Sequence, residues 1–135
     1  MLFDDDHYYM GGVLAELMAR QGVKVTLVTA SAYVSDWTRN TLEQGAIHRR
    51  LAELGVEIVL NRAVTSIRAD GVVTACAYTG AEQVVGADAV VLVTSRSQDD
   101  GVWQELKARR AEWADNGIRS IKVIGDAEAP GPIAW

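Results

Sequence analysis

The chain opens with a strand, a tight loop, a helix, a glycine and a second strand, and this order strongly restricts its fold. The apolar residues Met1-Leu2-Phe3 predict a short strand that runs directly into the loop of residues 4–12. Apolar residues then recur at helical spacing, which predicts a helix over Gly12–Gln21. Gly22 is placed to close that helix, and the β-branched run Val23–Val28 predicts a buried strand.

The same joint between a helix and a strand recurs further along the chain. A second helix is predicted over Thr41–Leu54, where Gly55 ends it and the strand Val56–Leu60 follows. Gly117 occupies the equivalent place in a third copy of the joint. Helices that feed strands through short glycine turns are typical of parallel sheets. The sequence therefore predicts an α/β, Rossmann-like three-layer domain, whose parallel sheet of four or five strands is flanked by helices.

The middle of the chain predicts a different kind of β-structure. Three short β runs, Val64–Ala69, Val72–Tyr78 and Gln83–Val85, are separated by turn sequences. Asp70-Gly71, between the first two, is a strong hairpin signal. We therefore expect a three-stranded antiparallel meander inserted between parallel strands. The continuously apolar run Ala89–Thr94 then predicts a return to the centre of the parallel sheet.

A third helix and a last strand are predicted towards the end of the chain. The helix covers Asp100–Asn116, with Trp103 and Trp113 on its core face, and the strand covers Ile121–Ile124. Pro132–Trp135 has the pattern of a further helix start. Both ends of the chain fall inside predicted elements, so we expect a domain of a longer polypeptide. We place the Rossmann-like domain at residues 1–124 and the start of another domain's segment at residues 125–135.

Composition excludes several classes of protein. The chain has 135 residues and a net charge of −5, which argues against non-specific binding of nucleic acid. It has no apolar run near the ~20 residues that span a bilayer, so we expect no membrane partner and a cytoplasmic location. The single cysteine, Cys76, excludes an internal disulfide and a multi-cysteine cluster.

The loop of residues 4–12 is the main candidate for a cofactor site. Dinucleotide-binding loops carry G-x-G-x-x-G so that the turn is tight and the backbone can approach the pyrophosphate. Here Asp6 and Tyr8 stand at the first two glycine positions. Carboxylates would repel a phosphate and phenol rings would fill its space, so we favour a loop without strong dinucleotide binding. If the loop does bind a cofactor, the contacting residues are Asp6, His7, Tyr8, Tyr9, Met10, Gly11 and Gly12.

Other candidate sites are weaker. The second strand ends in Thr29-Ala30-Ser31, without the acidic residue that holds the ribose of NAD. The run Asp4–His7 is interpreted as a solvated acidic turn, because consecutive side chains do not converge on one metal ion. Cys76 has no histidine or lysine beside it in sequence, which favours a structural thiol. We therefore assign no catalytic and no metal-binding residue. Asp126, after Gly125 at a strand end, is a further weak candidate for contact with a ligand hydroxyl.

Several of these segments together resemble a known family. They include the loop Asp-Asp-Asp-His-Tyr-Tyr-Met-Gly-Gly at residues 4–12, the segment Trp37–Gln44, and the run Ile-Gly-Asp at residues 124–126. The chain resembles the C-terminal portion of the trimethylamine and histamine dehydrogenase group. That group belongs with the multidomain NADH:flavin oxidoreductases related to 2,4-dienoyl-CoA reductase.

The resemblance implies a larger flavoprotein. Its N-terminal barrel would carry FMN and a 4Fe-4S cluster, and its C-terminal half would resemble glutathione reductase. This chain would be the pyridine-nucleotide-like domain that is inserted within an FAD- or ADP-binding domain, which the chain re-enters from Ile124 onward. Asp126 matches the aspartate that contacts FAD in such folds. The cluster cysteines and the substrate pocket would lie outside this chain.

Three functions remain open at this point. The preferred one is a non-catalytic domain of a flavin-dependent amine dehydrogenase or NADH:flavin oxidoreductase, whose partners are the remaining domains of that enzyme and a second subunit. The first alternative is a working NAD(H)- or ADP-binding module that passes electrons to flavin. The second alternative is a free-standing interaction domain.

Overall fold

A computed structural model describes residues 1–131 of the protein. The chain divides into two units, Met1–Ser95 and the segment that begins at Arg96. The helix start predicted at Pro132–Trp135 lies outside the described residues.

The first unit contains a parallel sheet, an antiparallel sheet and two α-helices. Its elements in chain order are β1 (Leu2–Asp4), α1 (Tyr9–Arg20), β2 (Thr26–Thr29), α2 (Gln44–Glu53), β3 (Glu57–Val59), β4 (Arg62–Arg68), β5 (Gly71–Cys76), β6 (Glu82–Val85) and β7 (Val91–Val93). The parallel sheet has the strand order β3-β2-β1-β7, and β4-β5-β6 form the antiparallel meander. The predicted Rossmann-like α/β fold with an inserted meander is confirmed.

The core of the first unit forms where the helices cover the parallel sheet. Leu2 of β1 pairs in register with Leu27 of β2, and both side chains are fully buried. Ala15 of α1 and Leu51 of α2 belong to the same core cluster. Phe3 and Val28, which come next along their strands and point to the opposite face, are also buried. Both faces of the parallel sheet are therefore covered, as parallel sheets require.

The helices and strands near the first loop begin at other residues than the sequence predicts. Helix α1 begins at Tyr9 instead of Gly12, so the last four residues of the candidate loop belong to the helix. Strand β2 begins at Thr26 instead of Val23, because the Val23 N–H donates back to the Met18 carbonyl and closes the helix end. Helix α2 begins at Gln44 instead of Thr41, because Leu42 has the left-handed φ of +64° and interrupts helical geometry.

The hairpin predicted at the start of the meander is present, one residue earlier than expected. Its two turn residues are Ala69 and Asp70, and Gly71 begins β5 opposite Arg68. Gly71 has φ +143°, and a Cβ there would lie 2.8 Å from the Val85 carbonyl oxygen. Glycine therefore allows β6 to approach closely.

The strand predicted over Ala89–Thr94 is shorter and lies elsewhere in the sheet. It spans Val91–Val93, and within residues 1–131 it pairs with β1 alone. Leu92 remains 52% exposed. The predicted central position is therefore wrong, because an apolar run shows burial and does not fix the order of strands in a sheet.

The second unit is less regular than the sequence predicts. Helix α3 spans Gly101–Ala108 and is followed by a 3-10 turn at Arg110–Glu112, so the predicted continuous helix to Asn116 is wrong. Trp113 donates its indole N–H to the Leu106 carbonyl at 2.7 Å, which folds the chain back on α3.

The last predicted strand and part of the predicted core are also absent from this unit. Residues 121–124 form no strand, and Ile124 is 75% exposed. Trp103 and Trp113 are half-buried, and no residue of α3 is fully buried. So short a segment has too little apolar surface to enclose a core of its own. A domain boundary after residue 124 stays a prediction.

Candidate functional site

The candidate site lies where β1 and β2 end, at the carboxyl edge of the parallel sheet. The His7 ring nitrogen Nδ1 lies 3.3 Å from the Thr29 hydroxyl oxygen. The Trp37 N–H donates to the His7 carbonyl at 2.9 Å, and the Asp5 N–H donates to the Val93 carbonyl at 2.7 Å. The loop after β1 is thus tied to three neighbouring parts of the first unit.

Asp4, the last residue of β1, is fully buried beneath this loop. Its Oδ1 atom accepts the backbone N–H groups of Asp6 at 3.2 Å and His7 at 3.1 Å. Its Oδ2 atom is buried and has no hydrogen-bond partner among the described residues. Burial raises the pKa of the Asp4 carboxyl, and the two backbone bonds oppose this effect only in part.

The burial of Asp4 corrects the prediction of a solvated acidic turn. Asp5 is exposed and Asp6 is half-exposed, so the prediction fits only those two. The sequence carries one usable signal, which is that Asp4 directly continues an apolar strand. Among residues 1–131, no group of three or more histidine, cysteine, aspartate or glutamate side chains is placed to hold a metal ion.

Gly11 and Gly12 allow the start of α1 to pack closely. A Cβ at Gly11 would lie 2.4 Å from the Asp4 Cγ atom. A Cβ at Gly12 would lie 3.0 Å from the Ser35 hydroxyl oxygen and 3.2 Å from the Ile47 Cγ2 atom. Both glycines therefore serve the packing of the helix. Ser35 itself is fully buried, and its hydroxyl has no hydrogen-bond partner among the described residues.

Aromatic side chains pack around the first residues of α1. The Tyr8 ring meets the Trp37 ring edge-on at 5.0 Å between centroids, and it meets the Tyr9 ring at 4.6 Å. Tyr9 donates its hydroxyl to the Glu43 carboxylate. Met10 has half of its surface exposed. Tyr8, which stands at the second glycine position of a dinucleotide loop, is therefore a packed side chain.

The charged residues after β2 are engaged with their neighbours. The Ser31 hydroxyl donates to the Asp36 carboxylate. Arg39 pairs with Asp36 at 3.4 Å, and its guanidinium lies 4.5 Å from the centre of the Tyr33 ring. These residues surround a 3-10 turn at Asp36–Arg39 that the sequence analysis treats as part of a long polar loop.

Asp126 and Cys76 are the two remaining candidates named from the sequence. Asp126 belongs to the second unit, where it is exposed on a 3-10 turn at Gly125–Ala127. Cys76 is partly exposed at the end of β5. Hydrogen bonds from Thr79, then from the Tyr78 backbone, lower the pKa of the Cys76 thiol to about 7.

No helix within residues 1–131 is long and apolar enough to cross a bilayer.

A four-stranded parallel sheet with a meander inserted before its last strand defines a Rossmann-like domain of the nucleotide-binding type. Comparison with known families makes this specific: the model of the OYE-like second alpha/beta domain matches residues 1–94. The chain belongs to this family.

Individual relatives agree with the family assignment. Dimethylamine dehydrogenase from Hyphomicrobium sp. (strain x) is 34% identical over 152 aligned positions, which cover 99% of this chain and 20% of that protein. The structure of histamine dehydrogenase from Rhizobium sp. 4-9 matches 99% of this chain and 21% of its own, with 63% identity and a TM-score of 0.91. The structure of 6-hydroxypseudooxynicotine amine oxidase from Pseudomonas geniculata N1 matches 98% of this chain and 19% of its own, with 41% identity and a TM-score of 0.85. The chain thus spans about a fifth of the length of these relatives.

Proposed function

We propose that this chain is the nucleotide-binding-type domain of a flavin-dependent amine dehydrogenase or a related NADH:flavin oxidoreductase. In that enzyme the domain supports the packing of its neighbours and does not bind a dinucleotide strongly. The membership of the OYE-like family and the similarity to two amine dehydrogenases support the first part of the proposal.

The observation that carries the second part is the position of the Tyr8 side chain. In a dinucleotide-binding loop, the residue at this position lacks a side chain so that the backbone can approach the pyrophosphate. Here the Tyr8 ring is packed between the rings of Tyr9 and Trp37. A diphosphate at this place would have to displace an aromatic cluster.

Charge and polarity around the loop support the same conclusion. Asp5 and Asp6 follow β1 directly, and the Asp5 carboxylate lies 3.5 Å from the His7 Nε2 atom. Fixed negative charge at the start of α1 counters the attraction that a helix N-terminus exerts on phosphate. The end of β2 offers the neutral Thr29, where NAD-binding domains place a carboxylate for the ribose.

The cofactors of the enzyme would belong to its other domains. We propose FMN and a 4Fe-4S cluster in a barrel domain, and FAD or ADP in the domain that encloses this one. Flavin would accept the electrons that the substrate loses when it is oxidised. Asp126 is exposed on its turn, which fits contact with an FAD ribityl or diphosphate group.

The exposed face of α1 is the surface we assign to those other domains. Met10, Val13 and Leu17 follow one another at helical spacing and are 50%, 56% and 50% exposed. A cavity of about 240 Å³ lies beside them between α1 and α2. Relatives about five times longer than this chain supply ample further protein to cover such a face.

Calorimetric titration of the 135-residue chain with NADH, NADPH and ADP tests the proposal. We expect no saturable binding below about 1 mM. A dissociation constant in the low micromolar range would contradict it and favour a working NAD(H) or ADP module.

A further inference from the structure

The loop after β1 presents two consecutive backbone N–H groups to a single oxygen atom. The N–H groups of Asp6 and His7 both donate to Asp4 Oδ1, at 3.2 and 3.1 Å. His7 has the left-handed φ of +59°. Successive N–H groups that converge in this way form a concavity that suits an anion. In this protein, a side chain of the same loop supplies the anion.

The Asp4 carboxyl also fills the space between the loop and α1. It is 0% exposed, and the absent Cβ of Gly11 leaves room for its Cγ and Oδ2 atoms. The Oδ2 atom is aimed into this buried space, where no hydrogen-bond partner lies among residues 1–131. Nucleotide-binding loops of this fold place the diphosphate at the same junction of strand, loop and helix N-terminus.

We infer that Asp4 is an internal occupant of an anion-binding loop and that it determines which ligands the loop rejects. The rejected class is the diphosphate of ADP and of dinucleotides. Asp4 takes the two N–H groups that such a ligand needs, and its carboxyl adds bulk and negative charge at the same place. This inference rests on the proposed absence of strong dinucleotide binding and gives a second cause for it, independent of the Tyr8 ring.

A purely local role for Asp4 makes a different prediction. If its two hydrogen bonds only shape the turn, replacing Asp4 changes stability and leaves the affinity for phosphate compounds unchanged. If the carboxyl is an occupant, its removal exposes the N–H groups of residues 6 and 7 to ligands. The two roles are therefore separated by binding and not by folding.

The experiment compares Asp4 variants in a loop from which the Asp6 and Tyr8 side chains have been removed. The reference is the full chain with Asp6→Gly and Tyr8→Gly, which restores the glycine spacing that ends at Gly11. Asp4→Ala is added to remove the occupant. Asp4→Asn is added separately as the matched control, because an amide keeps the volume and the Oδ1 acceptor. The probes are ADP and inorganic pyrophosphate, and circular dichroism verifies the fold of each variant.

We expect Asp4→Ala to tighten ADP and pyrophosphate binding at least about tenfold over the reference, and Asp4→Asn to give a distinctly smaller gain, because the amide removes the charge but keeps the volume and the Oδ1 acceptor. The amide resonances of residues 6 and 7 should shift with ligand in the alanine variant alone. A folded alanine variant without this gain overturns the inference, as does an equal gain with asparagine. If alanine prevents folding, Asp4→Cys replaces it under the same criteria, because sulfur is only a weak hydrogen-bond acceptor. Micromolar NADH binding by the wild-type chain is the separate result that overturns the proposed function.

Discussion

The Asp4 carboxyl lies directly against Gly11, across the turn that joins β1 to α1. A Cβ at residue 11 would approach Asp4 Cγ to 2.4 Å, Oδ2 to 2.5 Å and Cβ to 2.8 Å. Real side chains do not approach so closely, and Asp4 cannot swing away because it is fully buried. The identity of residue 11 and the burial of residue 4 are therefore coupled.

Gly11→Ala is expected to lower the free energy of unfolding by about 1–3 kcal/mol, because it overpacks the space that Asp4 fills. Urea denaturation followed by circular dichroism measures the change. The control is Gly45→Ala in α2, where a Cβ meets nothing within 4 Å and the expected change is a gain of up to about 1 kcal/mol.

A double-mutant cycle assigns the Gly11→Ala loss to Asp4. Asp4→Ala removes the Cγ and Oδ2 atoms, which make the two closest contacts. The two substitutions together should therefore cost less than the sum of their separate costs. Strict additivity would show that the cost arises elsewhere.

Asp4 should make the stability of the chain depend on pH. Burial raises the pKa of its carboxyl above the value of 3.8 that applies when the chain is unfolded. The folded state therefore holds the proton more tightly, and this contribution is full below pH 3.8 and is lost as the pH rises through the raised pKa. Asp4→Asn cannot ionise, so it should be more stable than wild type at pH 7, with the difference shrinking towards pH 4.

Denaturation curves between pH 4 and pH 8 measure this difference. Asp70→Asn, in the exposed turn between β4 and β5, is the control for the loss of one negative charge. A constant difference between Asp4→Asn and wild type across the range would show that Asp4 does not titrate as its burial requires.

The elements that the sequence predicts best are those set by local backbone chemistry. Gly22 and Gly55 close α1 and α2 with φ of +81° and +72°, a conformation that glycine adopts without strain. The hairpin at Asp70 is predicted for the same kind of reason.

Features that depend on distant contacts could not be predicted in this way. Asp4 is one of three consecutive aspartates, and only the packing of Gly11 over it distinguishes it from Asp5. The edge position of β7 follows from sheet order, which hydrophobicity does not encode. The left-handed residues Ser35 and Leu42 are not glycine, so no local signal marks the turns that they make.

The Cys76 thiol should react faster with alkylating reagents near neutral pH than an ordinary cysteine. Hydrogen bonds from the Thr79 hydroxyl and N–H, followed by the Tyr78 N–H, stabilise the thiolate and lower its pKa to about 7 from the usual 9.0. The iodoacetamide rate should therefore rise with pH and reach half of its plateau near pH 7. Mass spectrometry at a series of pH values gives this profile.

Substitution of Thr79 tests the cause of the lowered thiol pKa. Thr79→Ala removes the largest contribution, so the inflection of the rate profile should move towards higher pH. Tyr78→Phe is the matched control, because the Tyr78 contribution comes from its backbone and survives the change. An unshifted profile for Thr79→Ala would show that another group stabilises the thiolate.

The exposed face of α1 should drive association of the chain when its partner domains are absent. The triple variant Met10→Gln, Val13→Gln and Leu17→Gln makes that face polar. The three replaced side chains are 50–56% exposed in the native fold. Its free energy of unfolding should differ from that of the wild-type chain by no more than about 0.5 kcal/mol per substituted site, because little buried surface is lost. Its sedimentation coefficient should become independent of concentration, whereas the wild-type value should rise with concentration.

A second triple variant separates a defined surface from general hydrophobicity. Ile67, Val84 and Leu92 are 53%, 51% and 52% exposed, but they lie on three different strands and form no helical stripe. Their replacement by threonine removes a similar exposed apolar area without changing α1. If this variant suppresses association as strongly as the α1 variant, the face of α1 is not the docking surface. If association persists in the strand variant and is lost in the α1 variant, Met10, Val13 and Leu17 account for it. This result would support the face of α1 as the surface that contacts the other domains.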